Sequence, residues 1–490
     1  MFAFFDVLSG WVRGCVLSVS FGFLGFIVAC GASAPEGKEG GAHYQNEFAQ
    51  TDGGIRFSDG QGEHDTSQQP DTSDTPLPKQ GTSFAVKAVK WVLPTTKFCA
   101  TFRATHPEHW STFDIDGDKK PDLVWTYEPS TKKAFASGGP HWKVFRNTGN
   151  GFSAQPVLWR VPTTAFSRTA QAWSSDVWTT FDINGDGKPD LVWTRDPKGK
   201  GAFTSGGTHW KVFKNTGNGF STQSISWRVP ALAFDRSAKA WGSDVWTTFD
   251  INEDGKPDLV WTRDPKGKGA FASGSPHWKV FKNTGSGFSI QPMNWRVPTL
   301  SFDRSAKAWG SDVWTTFDID GDGKPDLVWT HDPKEKSAFT SGSPHWKVFK
   351  NTGSGFSLQP VVWRIPSKAF DRSAQARGSD VWTTFDINGD RKPDLVWTRD
   401  PKKESAFTEG GVHWKVFTNT GSGFSLQPFN WKVPIATFDR TAQSQYKKQW
   451  STFDIDGDSK PDLVWTREPS VASCTSFASG GAHWLLFRNQ

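Results

Sequence analysis

The residues best suited to chemistry are short runs of acidic and amide side chains. Asp182-Ile183-Asn184-Gly185-Asp186-Gly187-Lys188-Pro189-Asp190 carries oxygen donors at positions 1, 3, 5 and 9. Alternate side chains of a tight loop converge on one point, and the backbone carbonyl at position 7 can join them. Groups of this kind held so close repel one another unless a cation sits among them. Calcium takes about six to eight hard oxygen ligands in loose geometry, which fits this set. The run differs from an EF-hand: its last donor is an Asp at position 9, and the flanking stretches read as strands rather than helices.

The motif recurs. Phe-Asp-Ile-(Asn/Asp) places its Asp at 114, 182, 250, 318, 386 and 454, always 68 residues apart. A fixed period of this size signals a repeat architecture. One unit contains Trp178-Thr179-Thr180-Phe181, Asp190-Leu191-Val192-Trp193-Thr194, His209-Trp210-Lys211-Val212-Phe213 and Ile225-Ser226-Trp227-Arg228. These are four short runs rich in aromatic and β-branched residues, separated by Gly, Pro, Asn and Asp. Apolar residues fall on both faces of the runs, as packing between neighbouring sheets requires. The 28 Trp and 40 Phe, against 3 Tyr, suit large apolar side chains repeated in equivalent places. The reading is all-β: a six-bladed propeller of four-stranded blades.

The ends of the repeat predict how the ring closes. The sixth unit stops at its third strand, His483-Trp484-Leu485-Leu486-Phe487. Its fourth strand is expected at the other end, in Val86-Lys87-Ala88-Val89-Lys90-Trp91-Val92-Leu93-Pro94. Residues 83–490 number 408, six times 68. Cys99 follows the borrowed strand and Cys474 lies in the sixth unit, so a disulfide between them would lock the seam.

Ahead of the repeat the composition changes twice. Residues 31–82 are rich in Gly, Ser, Thr, Asp and Gln and too poor in apolar groups to fold, and they read as a disordered tether. Residues 1–30 contain Arg13 and an apolar run from Val16 to Ala29, too short for a comfortable membrane span. That run ends in Ile27-Val28-Ala29-Cys30-Gly31, which resembles a bacterial lipobox. The resemblance implies lipidation at Cys30, a signal peptide over 1–30 and attachment to a membrane, with Gly31 favouring the outer one.

The loop and the Pro-Asp-Leu-Val that follows it resemble the FG-GAP/VCBS repeats of integrin α subunits and bacterial surface proteins, over residues 83–490. The resemblance implies up to six calcium ions. Their ligands would be Asp114, Asp116, Asp118 and Asp122 in blade one, and Asp182, Asn184, Asp186 and Asp190 in blade two. Blade three would use Asp250, Asn252, Asp254 and Asp258, and blade four Asp318, Asp320, Asp322 and Asp326. Blade five would use Asp386, Asn388, Asp390 and Asp394, and blade six Asp454, Asp456, Asp458 and Asp462. Lys119, Arg391 and Ser459 replace Gly at position 6, where a side chain opposes a sharp turn. Those three sites are expected to bind less well. Six divalent ions would add about +12 to a formal charge of +6 and favour anionic partners.

The loops opposite the acidic ones hold candidates for recognition. Trp173, Trp241 and Trp309 are each followed three residues later by Asp176, Asp244 or Asp312. Arg195 and Arg263 follow the second strands, and His209, His277, His345 and His413 open the third. Trp faces beside Asp and Arg suit a sugar, and some propeller lectins place sugars between blades. The alternative is that these Trp and His only pack between blades. No nucleophile elbow, metalloprotease helix or phosphate loop occurs, and the repeated carboxylates lack the asymmetry of a catalytic centre. No Lys/Arg block marks a nucleic-acid surface. The expectation is a monomeric, non-enzymatic binding module for extracellular glycan or a surface protein, with a pure interaction scaffold or a polysaccharide-active enzyme as alternatives.

Overall fold

The computed structural model describes residues 82–94, 109–126, 134–163, 177–194, 202–230, 244–263, 270–271, 273–298, 313–330, 339, 342–366, 380–399, 406–434, 449–466 and 482–490. Among them, 24 strands form six four-stranded antiparallel sheets. In blade two the strands are Val177–Phe181, Asp190–Thr194, His209–Phe213 and Ile225–Arg228, paired in that order. Asp190–Thr194 and His209–Phe213 are buried on both faces, so they read as near-continuous apolar runs. The outer strand Ile225–Arg228 buries only Trp227 and leaves its other residues exposed.

Each blade buries its faces against its neighbours. One cluster joins Val192, Trp210, Val212 and Trp227 of blade two to Trp246, Leu259, Phe281 and Phe288 of blade three. The equivalent contact recurs between every successive pair and between blades six and one. The sheets therefore close into the six-bladed propeller that the 68-residue period predicts.

Much of the aromatic content is spent on this packing. Trp178 stacks on Trp193 at 4.5 Å between ring centroids, and Phe203 meets Trp193 edge-on at 4.9 Å. Lys211 caps the group, its Nζ 4.8 Å from the Trp193 ring centre and 4.6 Å from that of Phe203. Such a cation contributes about 0.5–2 kcal/mol. The arrangement repeats in blades one to five; blade six has Leu485 where the others have Lys.

The seam closes as expected and goes further. Val89–Val92 pairs antiparallel with His483–Phe487, with Trp91 opposite Trp484. The turn that precedes the fourth strand in other blades is also rebuilt from both ends. Phe220 donates its N–H to Arg160 O at 2.8 Å, and Phe84 does the same to Lys432 O at 2.9 Å. Thr82 N–H donates to Gln490 O and Gln490 N–H to Ser83 O, each at 2.9 Å. Phe84 then meets Trp414 edge-on at 5.4 Å, as Phe220 meets Trp142 at 5.5 Å. The sequence pointed to the borrowed strand; the borrowed turn lay hidden because Ser83 stands where the repeat has Gly.

Candidate metal centres

The acidic loops join the first and second strands, and the position-1 carboxylate organises each turn. Asp182 Oδ1 accepts from the N–H of Gly185 (2.7 Å) and Asp186 (3.2 Å), and its Oδ2 accepts from Gly187 N–H (2.7 Å). Asp186 Oδ1 accepts from Lys188 N–H at 3.0 Å. The turn needs left-handed backbone at positions 4 and 6, where Gly185 and Gly187 have φ of 79° and 83°. Lys119, Arg391 and Ser459 adopt φ near 70° at position 6, at a conformational cost glycine avoids. Glu253 does so at position 4, with φ 62°, a substitution the sequence reading passed over. Its carboxylate pairs instead with Lys324 of the next loop at 3.3 Å.

The position-9 aspartate is the most constrained. Asp122, Asp190, Asp258, Asp326, Asp394 and Asp462 are all fully buried. Each Oδ1 accepts one backbone N–H, as Asp258 does from Asn283 at 2.7 Å. The Oδ2 atoms of Asp258, Asp326, Asp394 and Asp462 are buried and meet no donor. Burial pushes Asp122, Asp326 and Asp462 up to about 8 and Asp190 and Asp258 to about 7, the other loop carboxylates adding to the rise. Burial also lifts the position-1 acids Asp114, Asp318, Asp386 and Asp454 to about 6. A buried anionic oxygen without a partner is strongly disfavoured, and a dication among these oxygens removes the penalty. The donor set, all hard oxygen, fits such an ion.

The loops fall into two kinds. In blades one, four and six, oxygens of Asp114, Asp116 and Asp122, of Asp318, Asp320 and Asp326, and of Asp454, Asp456 and Asp462 lie within 4.8 Å of one another and could hold a metal ion. In each, the position-3 Asp pairs with a cation beyond the third strand: Arg146 to Asp116 at 3.1 Å, Arg488 to Asp456 at 3.2 Å, and Lys350 to Asp320. Blades two, three and five carry Asn184, Asn252 and Asn388 at that position. Asn184 Nδ2 donates to Asp190 Oδ2 at 2.9 Å, and turning the amide over would aim its oxygen inward instead.

Neighbouring loops are tied together by a residue that the sequence reading did not single out. Asn283, buried after the third strand of blade three, donates Nδ2–H to Pro257 O (2.9 Å) in its own loop. The same nitrogen donates to Ile183 O (2.7 Å), between positions 1 and 3 of the loop in blade two. The pattern holds in every blade. Lysines at position 7 add a second tie: the stem of Lys256 lies where a Cβ on Gly185 would come within 2.7 Å of it.

The remaining named residues divide. His209, His277, His345 and His413 are buried. Each Nδ1–H donates to the carbonyl two residues earlier, and His209 stacks on Phe203 at 5.7 Å. They are packing residues, as the plainer expectation had it. Asp244 and Arg263 stand opposite each other in the register of blade three. Trp173, Trp241, Trp309, Asp176, Asp312 and Arg195 lie outside the described residues, as do Cys30, Cys99 and Cys474.

The FG-GAP-like repeat family matches the chain in four overlapping segments, 114–193, 182–261, 250–329 and 318–397. Comparison with curated proteins returns no match. Among solved structures, the Tc holotoxin pore of Photorhabdus luminescens aligns at 16% identity and TM-score 0.48, over 84% of this chain. This chain spans 15% of that one. An Agrocybe aegerita lectin, described as recognising non-reducing terminal N-acetylglucosamine, aligns at 18% identity and TM-score 0.41, over 79% of this chain and 81% of its own. An α-L-arabinofuranosidase of Clostridium thermocellum aligns at 10% identity and TM-score 0.24, over 66% of this chain and 93% of its own.

Proposed function

The chain belongs to the FG-GAP-like repeat family, and from that premise we propose that it is a non-catalytic binding module whose ring is held together by calcium. The fully buried Oδ2 atoms of Asp258, Asp326, Asp394 and Asp462, which meet no donor, carry this reading. The fold leaves these oxygens in the dry with no donor, and a bound dication would supply the missing charge. In blade four, for example, Asp318, Asp320, Asp322 and Asp326 would hold it. Binding energy then becomes folding energy, because each loop joins two strands of one blade. Metal analysis of the purified chain, with melts in excess chelator and in calcium, tests this. Bound calcium and a chelator-sensitive melt are expected. Metal content near zero with an unchanged melt would overturn it.

The ligand of the module is an extracellular glycan in this reading, and a lipidated Cys30 holds the module at a membrane, the outer one by the lipobox resemblance. Support for the glycan is the sequence pattern of Trp173, Trp241 and Trp309 beside Asp176, Asp244 and Asp312. The strand ends that border these segments lie opposite the acidic loops. Trp faces stack on sugar rings and carboxylates orient hydroxyls. Several weak equivalent sites on one ring would favour a repeating polymer through avidity. Replacing all three Trp with Ala should abolish polymer binding and leave the calcium-dependent melt in place. Unfolding of the triple variant would assign them to the core, and unchanged binding would place the site elsewhere.

A further inference from the structure

We propose that the six acidic loops bind cations as one coupled ring, with Asn147, Asn215, Asn283, Asn351, Asn419 and Asn489 as the couplers; the inference rests on the metal reading above. These asparagines are all buried, at 4–6% exposure. Each performs two tasks that touch two different loops. Its backbone N–H donates to Oδ1 of the position-9 Asp of its own blade, at 2.7–2.9 Å. Its Nδ2 donates at 2.6–2.8 Å to the position-2 Ile carbonyl of the preceding blade.

That carbonyl belongs to the peptide joining position 2 to position 3, and so lies between the position-1 and position-3 donors of the preceding loop. The Ile side chains beside it are fully buried, so this peptide has little room to move independently. A loop drawn tight around a cation fixes its Ile carbonyl. The fixed carbonyl holds the Asn of the next blade, and that Asn sets the carboxylate that the next loop needs. The ordering of the second loop is then partly done before its own cation arrives, which is positive coupling. The chain of contacts has no break: Asn147 donates to Ile455 O across the seam at 2.7 Å. The position-7 lysines run the same way round, their stems lying over position 4 of the preceding loop at Gly117, Gly185, Gly321, Gly389 and Gly457. At the remaining junction Glu253 and Lys324 form an ion pair instead.

Calcium isotherms of the full chain, recorded by calorimetry, test the proposal. The wild type should bind more steeply than independent sites. Asn283→Asp keeps the shape and the backbone N–H but removes both Nδ2 donors, and it should flatten the curve. Asp258→Asn exchanges the anionic position-9 ligand of blade three for a neutral amide and should empty that site. A coupled ring then loses that site and also binds the remaining ions at least about fivefold more weakly. Independent sites would show a stoichiometry lower by one with unchanged affinity elsewhere. Equal steepness in wild type and Asn283→Asp, or unchanged affinity of the remaining sites in Asp258→Asn, overturns the coupling and leaves the metal reading standing. Absence of calcium uptake by the wild type overturns both. Should Asn283→Asp fail to fold, the Asp258→Asn measurement decides alone.

Discussion

Stripping the cations and raising the pH should destabilise the ring steeply. The position-9 carboxyls hold protons in the metal-free fold that the unfolded chain releases, at about 7 for Asp190 and Asp258 and about 8 for Asp122, Asp326 and Asp462, against an ordinary 3.8. Their contribution is therefore fully present below about pH 4 and is lost as pH climbs through 7 to 8. A rise of about 3 to 4 pH units, at about 1.4 kcal/mol each, makes an ionised position-9 carboxylate cost on the order of 4–6 kcal/mol before the loop relaxes. Two such sites already match the roughly 5–15 kcal/mol that stabilises a typical domain. Melting followed by circular dichroism in excess chelator should fall by more than about 10 °C between pH 5 and pH 8. Saturating calcium should flatten that dependence. Asp258→Asn separates the two regimes by sign: it should raise the melting temperature in chelator at pH 8 and lower it in calcium. A flat melt in chelator across pH 5–8, or a variant that melts lower than wild type in chelator at pH 8, would refute the reasoning.

Lys119→Gly and Arg391→Gly should each stabilise the chelated protein by about 1 kcal/mol, since the left-handed turn then carries no Cβ, and both should tighten calcium binding by removing a nearby cation; chelator melts and isotherms check the pair. Gly185→Ala should cost about 1–2 kcal/mol in chemical denaturation, because φ is 79° and the new Cβ would meet Lys256 at 2.7 Å. Non-reducing peptide mapping of exported protein should recover Cys99 linked to Cys474, a bridge contributing about 2–5 kcal/mol, and free thiols at both would dismiss it.

The repeat made most of the fold readable. Period, strand chemistry and the borrowed Val89–Val92 strand each pointed to a closed six-bladed ring, and the structure has that ring. The alternation of donors in Asp182–Asp190 likewise marked the loops where carboxylates converge. Other features escaped because they are relations between units. Asn283 looks like an ordinary turn residue, since its side chain closes a local turn by accepting from Gly285 N–H at 2.9 Å. Its bond to Ile183 joins residues 100 apart in the chain, and no local pattern announces it. The position-3 ion pairs are similar: Arg146 and Asp116 are 30 apart, and only the blade brings them together. Glu253 stands at position 4 between two donors, and neither its left-handed backbone nor its ion pair with Lys324 of the next loop is legible in the local pattern.

The repeated face-to-face contact between blades also has a consequence for assembly. Each blade offers one surface to the blade ahead and a different one to the blade behind, a head-to-tail contact that either closes or propagates. Here it closes after six copies, and the last closure depends on the stretch from Thr82 to Leu93. A fragment without that stretch would carry an open edge at His483–Phe487, with Trp484 no longer facing Trp91. Both are complementary to the Thr82–Leu93 stretch of another molecule. Such a fragment would accept that stretch from an intact chain, and closure within one chain keeps the same contact from joining molecules.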